Sequence, residues 1–172
     1  MKIKKTKKYK GKNIDIALYE TKLNGTKISQ EIVEQGNAVA VLAIDDEYVI
    51  LVKEFRYPVG HVLDIPAGNI DKGETPFEAL QRELVEEIGF MPELHKLNPI
   101  DVYESKDKNF YYYSFAAVVE KEFSPTLNKE SSGYAWIDIG RWPQPMHQGA
   151  RATLNRNGGT DKLHRILEVN AG

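Results

Sequence analysis

Glu83, Glu86 and Glu87 stand at i, i+3 and i+4 in a segment of helical periodicity, so their carboxylates share one helix face. Like charges placed so closely repel unless a cation is shared among them. Clustered hard oxygen donors favour Mg²⁺ or Mn²⁺, ions that neutralise phosphate charge and lower the pKa of a bound water. The chemistry suggested is attack of water on a phosphoric anhydride. Further residues keep fixed spacing with the glutamates: Gly68 opens the run, Glu74 follows, Arg82 immediately precedes Glu83, and Gly89 closes it. The chain has no Cys, which excludes a thiolate metal site, a cysteine nucleophile and a disulfide scaffold. His61, His95, His147 and His164 have no mutual ligand spacing and read as structural or surface residues.

The element that carries the glutamates is marked at both ends. Thr75-Pro76-Phe77-Glu78 combines a capping Thr, a Pro at the first helical position and a Glu at the third, and Gly89 is the matching stop. Between them Phe77, Leu80, Leu84 and Ile88 form an apolar stripe beside the acidic face, which is expected to lie exposed. Upstream, Ile14, Ile16 and Leu18 alternate with polar neighbours and Asn24-Gly25 is a turn, predicting a hairpin from Asn13 to Glu34. Ala38 to Ile44 and Tyr48 to Lys53 predict a second hairpin around Asp45-Asp46-Glu47. The stretch Arg56 to Asn69 is punctuated by Pro and Gly and holds a short strand at Val62 to Ile65. Downstream, Phe110 to Val119 and Tyr134 to Ile139 read as strands, and Trp142-Pro143-Gln144-Pro145 reads as a loop. Asp161 to Val169 reads as a helix with Leu163, Ile166 and Leu167 on its apolar side.

At 172 residues, 41% hydrophobic and 28% charged, the chain is expected to be one globular domain over residues 1–172. Met1 to Lys12 holds seven lysines and no acid, and reads as a basic tail that frays in solvent. No apolar run approaches the roughly 20 residues of a membrane helix, and the lysine-rich start lacks the apolar stretch of a secretory signal, so a cytoplasmic protein is expected.

Gly68, Glu74, Arg82-Glu83-Leu84, Glu86-Glu87 and Gly89-Phe90 fill every fixed position of a 23-residue pattern, and in this the segment resembles the Nudix hydrolase signature. At ordinary residue frequencies such a match arises at a given start about once in a billion. The resemblance implies an α/β fold, an α/β/α sandwich with a mixed central sheet, carrying here an N-terminal β-hairpin extension over residues 13–36. It implies that Glu83, Glu86, Glu87 and the carbonyl of Ala67 hold Mg²⁺ or Mn²⁺. Gly68, Glu74, Arg82 and Gly89 then support the signature loop, with Glu74 also able to reach the metal cluster. Some members activate the water with a signature glutamate, others with a Glu from a later loop. Glu130, six residues before Trp136 on a Ser- and Gly-containing loop, is the candidate of the second kind, the bland alternative being an exposed loop Glu.

The first half of the chain is similar to ADP-ribose pyrophosphatases through Ala38-Val39-Ala40-Val41-Leu42, Val52-Lys53-Glu54-Phe55-Arg56 and Asp64-Ile65-Pro66-Ala67-Gly68-Asn69. That resemblance makes Arg56 the substrate-binding candidate and implies a homodimer through the N-terminal β region. One departure is that Tyr103-Glu104-Ser105-Lys106-Asp107-Lys108-Asn109 lacks the Ser-Pro-Gly element usual there. The C-terminal half, with Trp136 and Trp142, looks more like small Nudix enzymes acting on other nucleotides. Tyr103 or Trp142 could stack on an adenine, though packing suits each as well. The expected activity is cleavage of ADP-ribose or an NDP-sugar to a nucleoside monophosphate and a phosphorylated product. The alternatives are a pyrophosphatase of oxidised nucleoside triphosphates, a dinucleoside polyphosphate or FAD hydrolase, and a sensor without hydrolysis, against which the intact glutamates argue. Neither a membrane nor a nucleic acid is expected as partner, capped RNA being a minor reading of the lysine tail.

Overall fold

Two compact units divide the computed structural model, which describes residues 2–11, 14–91, 93, 96–155 and 158–170. Residues 1–37 and 104–111 make the first unit and the rest the second. The first unit is a three-stranded antiparallel sheet in the order β1-β2-β3, with β1 at Lys4–Lys10, β2 at Ile14–Leu23 and β3 at Thr26–Gln35. Asn24 and Gly25, both at positive φ, close β2 onto β3 with Leu23 opposite Thr26, as a two-residue hairpin turn requires.

Two expectations are corrected here. The extension has three strands rather than two, and the lysine run does not fray. Its backbone pairs with β2 from Lys4 opposite Glu20 to Lys10 opposite Asp15. Its charge meets acids of the neighbouring strands: Lys5 Nζ lies 2.6 Å from Glu34, Lys7 Nζ 2.6 Å from Asp15 and Lys4 Nζ 3.9 Å from Glu20. A lysine run with acids across the ladder is a strand; only without them is it a solvated arm.

In the second unit a mixed sheet runs β10-β5-β4-β9-β8, with β6 on β5 and β7 on β4. The strands are β4 (Ala38–Ile44), β5 (Tyr48–Arg56), β6 (Gly60–Asp64), β7 (Ala67–Asn69), β8 (Leu97–Glu104), β9 (Tyr111–Val118) and β10 (Ser131–Asp138). β4 and β9 run parallel. Every residue of β4 is buried because both its faces are covered, which explains its unbroken apolar sequence. Val39, Val41 and Ala43 pack with α1 (Pro76–Ile88), whereas Ala40, Leu42 and Ile44 pack with α2 (Gln148–Asn155) and α3 (Gly159–Asn170). This is the expected three-layer sandwich. Trp142 joins the second core, so packing accounts for it. Among the described residues no helix is long and apolar enough to cross a membrane.

Helix α1 starts as its capping signals dictate, the Thr75 N–H donating to Glu78 Oε2 at 2.7 Å and the Glu78 N–H to Thr75 Oγ1 at 3.3 Å. It ends at Gly89, whose φ of 67° is the left-handed stop that glycine takes without strain. Leu80, Leu84 and Ile88 are buried, but Phe77 is 44% exposed and Ala79 takes its place in the core. The helix thus depends on Leu84, and Leu84→Ala is expected to lower the unfolding free energy by about 3 kcal/mol in urea titrations. Thr75→Ala, which removes only the cap, should cost about 1 kcal/mol in the same assay.

Candidate active site

The site lies where the sheet forks. β4 and β5 pair only at Ile44 and Val49, next to their turn. Farther on, β5 takes β6 as partner, from Val52 opposite Asp64 to Arg56 opposite Gly60. β4 takes β7, from Ala38 opposite Asn69 to Ala40 opposite Ala67. The fork brings Glu54 and Arg56 of β5, Asp64 of β6 and the Ala67-Gly68 backbone towards α1, which packs on β4 and β7.

Arg82 ties this loop to the helix. Its Nε donates to Glu74 Oε1 at 2.9 Å and its Nη2 to Glu74 Oε2 at 3.0 Å, a bidentate pair, while Nη2 also donates to the Asn69 carbonyl at 2.8 Å. Nη1 donates to Glu83 Oε1 at 2.6 Å and lies 3.6 Å from Glu86 Oε2. The guanidinium holds the Glu74 carboxyl below its usual range. Gly68 is required for a different reason, since a Cβ there would collide with the Glu83 carboxylate.

The acidic helix face is not the exposed one expected. Glu83 is 8% and Glu87 6% exposed, and only Glu86 reaches solvent. The spacing of the glutamates specifies their face of the helix but not its depth, which the loop Ala67–Asn69 decides by covering that face. Burial pushes the Glu83 carboxyl up against the opposing pull of Arg82. Burial, followed by the charges of Glu54 and Glu83, pushes Glu87 up to about 9. The Ala67 N–H donates to the Glu87 carboxylate, yet Glu87 Oε2 is buried without a hydrogen-bond partner.

Two more buried carboxylates, Glu54 and Asp64, were not singled out from the sequence. Arg56 Nη2 lies 2.5 Å from Glu54 Oε2 and 3.3 Å from Asp64 Oδ2, and His147 Nδ1 lies 3.1 Å from the same Asp64 oxygen. His147, expected to be merely structural or at the surface, thus joins the acid group; His95 lies outside the described residues. A lone acid inside an apolar strand, as in Val52-Lys53-Glu54 and Leu63-Asp64-Ile65, was the available signal. Glu130 is exposed, its N–H donating to Asn128 Oδ1 at 3.0 Å, and its charge acts on Glu54.

Among the described residues no three His, Asp or Glu side chains are set to hold a metal ion as they stand. Glu83 is turned to Arg82, while Glu87 keeps an unsatisfied oxygen beside the Ala67 backbone. The donors nonetheless fit a hard divalent cation: all are oxygens, they are in excess over the cations nearby, and one of them is orphaned. Glu83, Glu86, Glu87 and the Ala67 carbonyl could supply its ligands once Glu83 swings from Arg82.

An acid held above its unfolded value contributes stability below that value and loses it as pH rises through the folded one. For Glu87 that window runs from the ordinary 4.5 to about 9, so chelated protein should lose stability across it. Glu87→Gln is expected to melt higher than the parent at alkaline pH in chelator, with a flatter pH dependence. An unchanged slope in a calorimetric series would place that proton elsewhere.

Residues 34–156 match the model of the NUDIX domain family. The chain is 44% identical over 91 residues to an ADP-ribose pyrophosphatase of Bacillus subtilis, a stretch that covers 51% of this chain and 49% of that relative, so the match spans about half the relative's length. It is 30% identical over 129 residues to a putative 8-oxo-dGTP diphosphatase of the same organism, covering 74% of this chain and 83% of the relative. The solved structure of an ADP compounds hydrolase aligns with 99% of this chain and 94% of its own, with a TM-score of 0.63 and 19% identity, a likeness of fold.

Proposed function

The chain belongs to the Nudix hydrolase family, and on that footing we propose that it is a metal-dependent pyrophosphohydrolase acting on a nucleoside diphosphate linked to a second group, ADP-ribose or an NDP-sugar first among them. The observation that carries this reading is the pair of buried carboxylates, Glu83 and Glu87, set against the Ala67-Gly68 backbone with one oxygen unsatisfied. Bound by Glu83, Glu86, Glu87 and the Ala67 carbonyl, Mg²⁺ or Mn²⁺ neutralises phosphate charge and acidifies a water.

The chain's own residues do the rest. Arg56 holds the diphosphate: both its ion pairs run through Nη2, so among the described residues Nε and Nη1 have no protein partner and can donate to phosphate oxygens. Arg82 and Glu74 keep the signature loop on the helix and Gly89 ends that helix cleanly. The proton of the attacking water goes to a carboxylate, with Glu130 and the signature glutamates as the candidates. Products are a nucleoside monophosphate and a phosphorylated second group. Residues 1–172 are read as one Nudix domain with its β extension, which pairs two copies into a dimer. Ile14, Leu23 and Val33, exposed on that sheet, support the pairing. The enzyme works in the cytoplasm on small nucleotides.

The match over 129 residues to a putative 8-oxo-dGTP diphosphatase favours a second reading, a nucleoside triphosphate pyrophosphatase. Product analysis separates the two. With Mg²⁺ and then Mn²⁺, over ADP-ribose, NDP-sugars, dinucleoside polyphosphates, FAD and oxidised dGTP, the favoured reading expects AMP and ribose 5-phosphate from ADP-ribose fastest. Inorganic pyrophosphate from a triphosphate at a higher rate would overturn it.

Glu83→Gln is expected to reduce turnover by roughly two or more orders of magnitude while the protein still folds. Arg56→Ala would leave Glu54 and Asp64 buried without their guanidinium, a loss of about 3 kcal/mol or more in stability. Arg56→Lys retains a cation and should raise KM more than it lowers kcat; an unaltered KM removes Arg56 from the substrate site.

A further inference from the structure

His147 sits in a place that neither the signature nor the expected chemistry requires. The segment before α2 is bound to β6 by its backbone: the Leu63 N–H donates to the Pro145 carbonyl at 3.1 Å and the His147 N–H to the Leu63 carbonyl at 2.8 Å. The imidazole is therefore placed independently of its own side-chain bonds. Gly149 leaves it room, since a Cβ there would come within 3.3 Å of the ring. Nδ1 then meets Asp64 Oδ2 at 3.1 Å, the oxygen that Arg56 Nη2 also approaches. Asp64 is 2% exposed, and its other oxygen accepts the Ile65 N–H at 2.9 Å, so its orientation is determined.

Taking that diphosphate substrate as given, we infer that His147 is a positioning residue for Arg56. Through Asp64 it holds the guanidinium in place and balances the charge around it, and so sets the affinity for the anionic substrate without entering bond cleavage.

The charge count gives the argument its sign. Glu54 and Asp64 bring two negative charges to Arg56, and a protonated His147 makes the group neutral. A neutral imidazole leaves one excess negative charge where a diphosphate has to bind. Asp64 holds His147 above its ordinary value, which keeps the cation present at neutral pH. The other groups facing this cluster are Tyr112 of β9, whose hydroxyl lies towards Gly149, and Glu87 of α1, which acts on Asp64's charge environment. Arg151, one turn along α2, is exposed.

Two measurements test this. In steady-state kinetics with ADP-ribose, the KM of the parent should rise as pH passes upward through the titration of His147. His147→Gln should raise KM about fivefold near pH 6, the size of one unit charge lost near a protein surface, with kcat within about twofold. The two proteins should converge at alkaline pH. Equal KM values throughout, or a fall in kcat at constant KM, would overturn the inference. Without substrate, the His147 ring protons followed by NMR should titrate at higher pH in the parent than in Asp64→Asn; coincident curves would overturn the coupling. A protein that cleaves no member of the substrate panel defeats the proposed function instead, and the NMR titration still decides whether His147 and Asp64 are coupled.

Discussion

Glu54, Asp64, Glu83 and Glu87 are buried around one helix and one sheet fork, and the guanidinium groups of Arg56 and Arg82 are set against them. Burying ionised carboxylates is unfavourable unless each is paired or protonated. Each arginine therefore serves more than one acid: Arg82 spans Glu74 and Glu83, and Arg56 spans Glu54 and Asp64. Glu87 has no such partner and instead retains its proton to about pH 9. Much of the local architecture follows from keeping these groups together. Gly68 is there because no side chain fits against Glu83, and the fork of β4 and β5 opens the space that β6 and β7 fill.

Such a concentration of like charge persists only on a rigid support. The support is apolar and two-sided. Leu80, Leu84 and Ile88 fix α1 on one face of the sheet, while Leu154, Leu163 and Leu167 fix α2 and α3 on the other. β4 lies between them with every side chain buried. A helix held along one stripe presents the opposite stripe at a set height, and the glutamates gain their geometry from leucines that never touch them.

Where local chemistry decides the structure, the sequence is legible. Thr75, Pro76 and Glu78 announce the start of α1 and Gly89 its end, and Asn24-Gly25 announces its hairpin, because caps and two-residue turns are settled by a few adjacent residues. Where distant neighbours decide, it is not. Lys4 to Lys10 reads as a free tail until Asp15, Glu20 and Glu34 are found across the ladder. α2, with Gly149, Thr153 and Asn155 in eight residues, has weak propensity and forms because Ala150 and Leu154 are buried by the sheet. Of the site, the signature glutamates and Arg56 are visible as residue types at fixed spacing. His147 is not, since its role depends on the bridge of the Pro145 segment to β6, which no spacing encodes.

The parallel pairing of β4 with β9 has a consequence for how the chain reaches this state. β2 and β3 are joined by a two-residue turn and zip locally, but β4 must wait for a partner that begins at Tyr111, after the catalytic helix and β8 have been made. Pairings between distant segments close slowly because loop entropy is lost before contacts compensate it. During synthesis Ala38 to Ile44, apolar on both faces, therefore stands with an open edge until more than half of the chain has left the ribosome. That interval, rather than the stability of the finished sandwich, is when this protein is most exposed to misassembly.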